Sequence, residues 1–274
     1  IKTMPRKRGV NPTIFDKSTQ TDGVLRSETY LSPSHRPKQP IERNTKINRI
    51  ANALRPLTKR HDPENLLIHG PAGVGKTTVT RHVFDQLERQ ASVKTIYINA
   101  WQYNTRPSLL TELLIQLGYP APRKGKPVDE LISKITEWLD KNRGVAVAID
   151  EFDQLQDQTE VIYDLQLAQG QADNPLGLVM VSNQHPSQIS LDPRSQSRLN
   201  CQTLEFQPYT APQLQKILEK RVNQAFKPGT VPQEVIEEIA EQVADNSGDS
   251  SNGNSDNSGG DSNDGNSGDG GGND

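Results

Sequence analysis

A single cysteine, Cys201, stands in 274 residues, which excludes an internal disulfide framework and any multi-thiolate metal site. No apolar run approaches the roughly 18 residues that span a bilayer, and no apolar segment of the signal-peptide kind follows the N-terminus. The sequence therefore predicts a cytoplasmic protein with no membrane partner. Five histidines are dispersed without ligand spacing, so no zinc-type site is indicated. Apolar side chains vanish altogether over 246–274, which contain only Gly, Ser, Asn and Asp. Such a stretch has nothing to offset the entropy of ordering it and is expected to be a disordered tail.

What is present divides by charge. Residues 1–60 hold 14 Lys/Arg against 4 Asp/Glu, a net +10, whereas residues 61–245 hold 17 against 24, a net −7. The first 43 residues, rich in Pro, Ser, Lys and Arg, read as a basic extended arm. Ile47, Ile50, Ala51 and Leu54 recur at helical spacing until Pro56 breaks the pattern. Beyond Pro63 come short apolar runs at Leu66–Ile68, Thr95–Ile98, Val145–Ile149 and Leu178–Val181, with a weaker one at Thr203–Phe206. Amphipathic stretches near 76–91, 107–117, 128–142 and 158–169 separate them. Short apolar strands alternating with helices predict an α/β fold, an open parallel sheet flanked by helices. Two further amphipathic stretches, about 211–226 and 231–245, follow without a strand and predict a partial helical domain over 208–245, after a core over 44–207. Trp101 and Trp138 are expected in the core or at its edge, and Cys201 as a small buried residue.

The strongest motif is Gly70-Pro71-Ala72-Gly73-Val74-Gly75-Lys76-Thr77-Thr78, which satisfies G-x-x-x-x-G-K-[ST] between a predicted strand and a predicted helix. Glycines let successive backbone N–H groups turn inward around a phosphate, and a helix beginning near Lys76 adds its positive end. Lys76 is a point charge for the β- and γ-phosphates, and the Thr77 hydroxyl is placed to ligate Mg²⁺. These features call for ATP with Mg²⁺.

A phosphate loop hydrolyses nothing by itself. The run Val145–Ile149 ends in Asp150-Glu151, 74 residues past Lys76, with Asp153 beyond. An aspartate at the carboxyl end of a buried strand faces the ligand crevice, so Asp150 can hold the metal. Glu151 beside it can act as general base on water. Asp153 is expected to be solvated or structural. The strand at 178–181 runs into Ser182-Asn183, and the Asn183 amide can orient water or touch the γ-phosphate, although Ser and Asn are also ordinary turn residues.

Phosphate loop, acidic pair and asparagine in this order resemble an AAA+ ATPase of the archaeal origin-recognition and helicase-loader family, the initiator clade. Further stretches carry the resemblance: Pro40-Ile41-Glu42-Arg43, Asn99-Ala100-Trp101-Gln102-Tyr103-Asn104, Ile149 through Leu155, Leu191-Asp192-Pro193-Arg194 through Ser197-Arg198-Leu199, and Leu204 through Ala211 running into Gln213-Leu214. The resemblance spans about residues 40–249. It implies that Arg198, rather than Arg194, is an arginine finger presented to a neighbouring subunit. It also implies a DNA-touching helical insertion near 104–127, which carries Arg106, Arg123, Lys124 and Lys126; a solvated loop is the alternative there.

The family's lid continues into a helix with a sensor arginine and then a winged-helix domain, whereas the last arginine of this chain is Arg221. A lid truncated at this point, with origin specificity impaired, is the expectation. Three functions follow: an ATP-hydrolysing initiator module that contacts double-stranded DNA, a nucleotide-dependent interaction module with little hydrolysis, and a non-replicative P-loop ATPase. Partners under the first are DNA, further copies of the chain and a replicative helicase. The basic arm suits DNA backbone, but could equally cover the acidic body of its own chain.

Overall fold

In a computed structural model, which describes residues 23–32, 35, 37, 39–120, 125–189 and 201–249, all five apolar runs become strands. They are β1 (Asn65–His69), β2 (Lys94–Asn99), β3 (Val145–Asp150), β4 (Leu176–Val181) and β5 (Cys201–Glu205). The order across the sheet is β2-β3-β4-β1-β5, and every pairing is parallel. β3 and β4 are buried at every residue, which explains why they read as unbroken apolar runs. Cys201 belongs to β5 itself rather than to its approach, and is only partly exposed there.

The helices are α1 (Asn44–Leu54), α2 (Lys76–Gln90), α3 (Arg106–Leu117), α4 (Val128–Leu139), α5 (Gln158–Gln171), α6 (Ala211–Ala225) and α7 (Gln233–Asp249). Pro56 does not end the first helical segment outright; it sits in the opening turn of a 3₁₀ stretch, Arg55–Lys59, that continues α1. Thr105 and Ser108 cap α3 reciprocally, and Thr210 and Gln213 do the same for α6.

Strand residues alternate between two cores. Ile96, Ile98, Val145, Val147, Ile149, Leu178 and Met180 face α3, α4 and α5. Leu66, Ile68, Ala146, Ala148, Val179 and Val181 face α1 and α2. The second face carries alanines on β3 where the first carries Val and Ile, which gives room beside β3 on the α2 side.

Three points bear on the expectations. The extended arm meets its own chain over a short stretch: Leu25 bridges Phe226, and the Arg26 and Ser27 amides both donate to Ala225 O, at 2.7 and 3.0 Å. A backbone pairing with the end of α6 satisfies groups that solvent would otherwise take. Next, α7 continues to Asp249, past the expected boundary at 245, because Asn246-Ser247-Gly248-Asp249 extend an established helix rather than nucleating one. Third, Trp101 is 68% exposed, although Trp138 packs against the core as expected. Residues 1–22 of the arm and 250–274 of the tail lie outside the described residues. Among the described residues no helix is long and apolar enough to cross a membrane.

Candidate nucleotide-binding site

The loop between β1 and α2 is shaped by glycine. Gly70, Gly73 and Gly75 have φ of 140°, 81° and 91°, a region that L side chains rarely enter. At Gly70 the limit is also spatial, since a Cβ would lie 2.2 Å from the carbonyl oxygen of Phe206. This close approach is fixed by the chain after β5, where the Phe206 amide donates to His69 O at 2.7 Å.

Beyond β1, β3 and β4 the side chains predicted for the site converge on a cleft of about 270 Å³, lined by Gly73, Gly75, Lys76, Thr77, Asp150, Glu151 and Asn183 among others. Lys76, at the first position of α2, donates to Gly70 O at 2.6 Å, Pro71 O at 2.7 Å and Asn183 Oδ1 at 2.9 Å. Burial pushes its pKa below the ordinary 10.5, while Asp150 and Asp153 pull it back upward. The Thr77 hydroxyl donates to Asp150 Oδ2 at 2.9 Å. Asp150 is 5% exposed and also accepts the Glu151 amide on Oδ1 at 3.0 Å. Glu151 itself has φ of 54°, a left-handed backbone that costs a non-glycine residue about 1 kcal/mol. That turn takes Glu151 off the line of β3 as the chain enters the next 3₁₀ turn.

Asp153 proves structural. Its Oδ1 accepts the Asn183 amide at 2.9 Å, which ties the exit of β3 to the exit of β4. Burial raises the cost of its charge, but hydrogen bonds from the Asn183 amide and the Gln154 side chain outweigh this and hold its carboxyl below the ordinary 3.8.

Four residues shape this site without having been singled out for it by the sequence. The Tyr97 hydroxyl donates to Asp150 Oδ2, and Arg81 stacks 3.5 Å from the Tyr97 ring centroid. Arg43 is buried, donating to Val74 O at 3.1 Å and Gln207 O at 2.8 Å, with its guanidinium 3.7 Å from the centroid of Tyr209. The period-two alternation of β2 places Tyr97 on the same face as Asp150, a signal available in the sequence. Nothing in the sequence marks Arg43 as buried.

Of the cations in the region near 104–127, Arg106 is committed elsewhere: it forms a two-pronged pair with buried Asp164, at 2.6 and 2.7 Å. Lys126 pairs with Glu130. Arg123 and Lys124 lie outside the described residues, as do Arg194 and Arg198. A larger cleft, about 760 Å³, opens at the opposite end of the sheet between the chain leading into β1 and the end of α5. It contains none of the phosphate-loop or β3-exit residues, and the convergence of groups, not cavity size, locates the site.

A loop of backbone amides at the head of a helix, flanked by an acidic strand exit in a five-stranded parallel sheet, defines a P-loop ATPase domain of the AAA+ class. A family model described as an AAA domain matches residues 59–188, and one described as a Cdc6 AAA+ ATPase-type lid domain matches 215–253. The chain belongs to the archaeal ORC1-type initiator family of AAA+ proteins. It is 32% identical over 226 residues to ORC1-type DNA replication protein 1 of Methanosarcina mazei, covering 80% of this chain and 55% of that one. Against the ORC1-type DNA replication protein of Pyrococcus abyssi the identity is 29% over 231 residues, with the same shares covered. The solved structure of Aeropyrum pernix ORC1 in complex with DNA superposes with a TM-score of 0.71 at 31% identity, over 79% of this chain and 58% of that one. Cdc6p of Pyrobaculum aerophilum, at 22% identity and a TM-score of 0.72, shares the fold. The chain spans about half the length of the curated relatives it matches.

Proposed function

We propose that this chain binds ATP with Mg²⁺, hydrolyses it, and serves as the nucleotide-dependent module of a replication initiator acting on double-stranded DNA. The observation that carries the reading is the 2.9 Å contact between Thr77 Oγ1 and Asp150 Oδ2, which brings two hard oxygen donors from separate elements to one point. That donor set fits Mg²⁺, which takes few protein oxygens and keeps its remaining ligands as water and phosphate. Bound there, the ion would offset charge on the phosphate oxygens.

In this reading the backbone amides of Gly70 through Thr78 cradle the phosphates and Lys76 neutralises the β- and γ-groups. Asp150 and Thr77 hold the metal. Glu151 takes the proton of the attacking water, and Asn183, joined to Lys76 at 2.9 Å, orients that water against the γ-phosphate. Arg198 reaches the site of a neighbouring copy. A positioned arginine of that kind raises phosphoryl-transfer rates by about 10³–10⁵, so turnover depends on assembly. The partial lid, from 208 to the end of α7 at Asp249, closes on the nucleotide, and the basic arm contacts DNA backbone with an affinity that falls steeply as salt rises. The Aeropyrum relative solved with DNA supports the DNA part; a replicative helicase is the client that the initiator role implies.

A second reading has its own observation. α7 contains no lysine or arginine, so it brings no cation toward the γ-phosphate. On that reading the chain binds ATP and Mg²⁺, turns over slowly and switches partners. Turnover measured with and without DNA, beside Lys76→Ala and Glu151→Gln, separates the two. The first expects a rate well above both variants; equal rates in all three proteins leave the binding module.

A further inference from the structure

Thr77 and Arg81 are one helical turn apart on α2 and point at the same face of the sheet. Thr77 meets Asp150 on β3; Arg81 meets Tyr97 on β2. Tyr97 is in register with Ala148, two residues before Asp150, so Tyr97 and Asp150 are diagonal neighbours on one face. Alanine directly opposite leaves space for the phenol to lean along the strand, and its hydroxyl ends on Asp150 Oδ2, the oxygen that Thr77 also reaches. With the Glu151 amide on Oδ1, both oxygens of Asp150 are fixed. Arg81 lies flat on the other partner: its Nε is buried without a hydrogen bond, and the Tyr97 ring face is what it stacks on.

We infer that Tyr97 is a positioning residue for the metal-gripping carboxylate Asp150, held in place by Arg81. The inference rests on the nucleotide-site reading above. A carboxylate at the end of a strand has two free torsions, and a metal ligand must hold one rotamer to be pre-organised. Thr77 alone cannot do this, because its hydroxyl is the group expected to share the metal. Tyr97 reaches the same oxygen from β2, which flanks β3 on the side opposite β4 and the phosphate-loop strand β1.

The test is nucleotide binding by the full chain, measured by titration with labelled ATP analogue in EDTA and again across a Mg²⁺ series, for the wild type, Tyr97→Phe, Arg81→Gln and Lys76→Ala. Tyr97→Phe keeps the ring under Arg81 and removes only the hydroxyl. The expected result is affinity in EDTA within twofold of the wild type and a half-saturating Mg²⁺ concentration raised about tenfold, the scale of a hydrogen bond to a charged group. Arg81→Gln shifts Mg²⁺ dependence in the same direction by less, and Lys76→Ala weakens binding in both conditions. Equal losses with and without Mg²⁺ in Tyr97→Phe, or an unchanged Mg²⁺ dependence, would overturn the inference while leaving the phosphate cradle intact. A wild type that takes up no nucleotide under either condition overturns the site and this inference together.

Discussion

Arg106 and Asp164 form a two-pronged pair in which Nε meets Oδ2 at 2.6 Å and Nη2 meets Oδ1 at 2.7 Å, with the Asp164 side chain 1% exposed. A cation that the sequence places in a region expected to touch DNA is instead the counter-charge of a buried carboxylate that ties the start of α3 to α5. Removing it strands a charge in the core, which costs about 3 kcal/mol or more. Arg106→Ala is therefore expected to lower the urea midpoint sharply. Any loss of DNA affinity should track the loss of folded protein and vanish when measured per folded molecule. A protein of unchanged stability with weakened DNA binding would return Arg106 to the interface.

Arg43 fastens the phosphate loop to the segment leading into α6. Its guanidinium donates to Val74 O and Gln207 O and stacks on Tyr209, whose hydroxyl lies 2.9 Å from where a Cβ on Gly75 would be. Arg43→Ala leaves two carbonyls to find other donors and is expected to cost about 2 kcal/mol. Arg43→Lys should recover only a minor part, since a single ammonium cannot span both carbonyls and lie flat on the ring. Chemical denaturation of the three proteins checks this; full recovery by lysine would mean that only the charge matters.

Strand and helix identity were legible because the two strands buried at every residue, β3 and β4, carry unbroken runs without a charge, Val145–Ile149 and Leu176–Val181, and the phosphate loop sits at a strand-to-helix switch where its motif predicts. What escaped was whatever depends on two segments meeting. Trp101 looked like a core residue because indole is mostly apolar, yet the turn held by Asn99, whose Oδ1 accepts the Trp101 amide at 2.8 Å, turns it outward. Arg43 looked like one more charge in a basic arm, because no local pattern announces partners at Val74 and Gln207. Leu25 and its neighbours read only as part of an extended arm, because their backbone partner lies some 200 residues downstream, at Ala225 and Phe226.

His69, buried at the end of β1, contributes a pH dependence. Burial depresses its pKa below 6.5; Glu205 opposes this, and His185, Lys76 and Lys46 add to it. The folded chain thus binds fewer protons than the unfolded chain between the depressed value and 6.5, and stability rises with pH across that window. The contribution is whole above 6.5 and is lost as pH falls through 6.5 toward the folded-state value. Urea midpoints at pH 7.5 and 5.5 should diverge more in the wild type than in His69→Asn, with His185 retained in both. Identical slopes would show that His69 titrates alike in both states.

The last prediction concerns the line from Asp153 through Asn183 to Lys76. Asp153 Oδ1 accepts the Asn183 amide and Asn183 Oδ1 accepts the Lys76 ammonium, each at 2.9 Å, so a residue that touches no phosphate sets the position of one expected to. Asp153→Ala removes a charged acceptor from a half-buried loop and is expected to destabilise the chain by about 1–2 kcal/mol. Its effect on chemistry should be of another kind. Lys76 and the loop amides remain, so ATP affinity holds within a few-fold, whereas the rate at saturating ATP falls at least tenfold because Asn183 no longer has one position. Asn183→Ala should match that fall, and the double variant should fall no further, since residues that act as a unit do not add. Losses that multiply in the double variant would mean that Asp153 and Asn183 act separately, and that the hydrogen bond between them has no part in turnover.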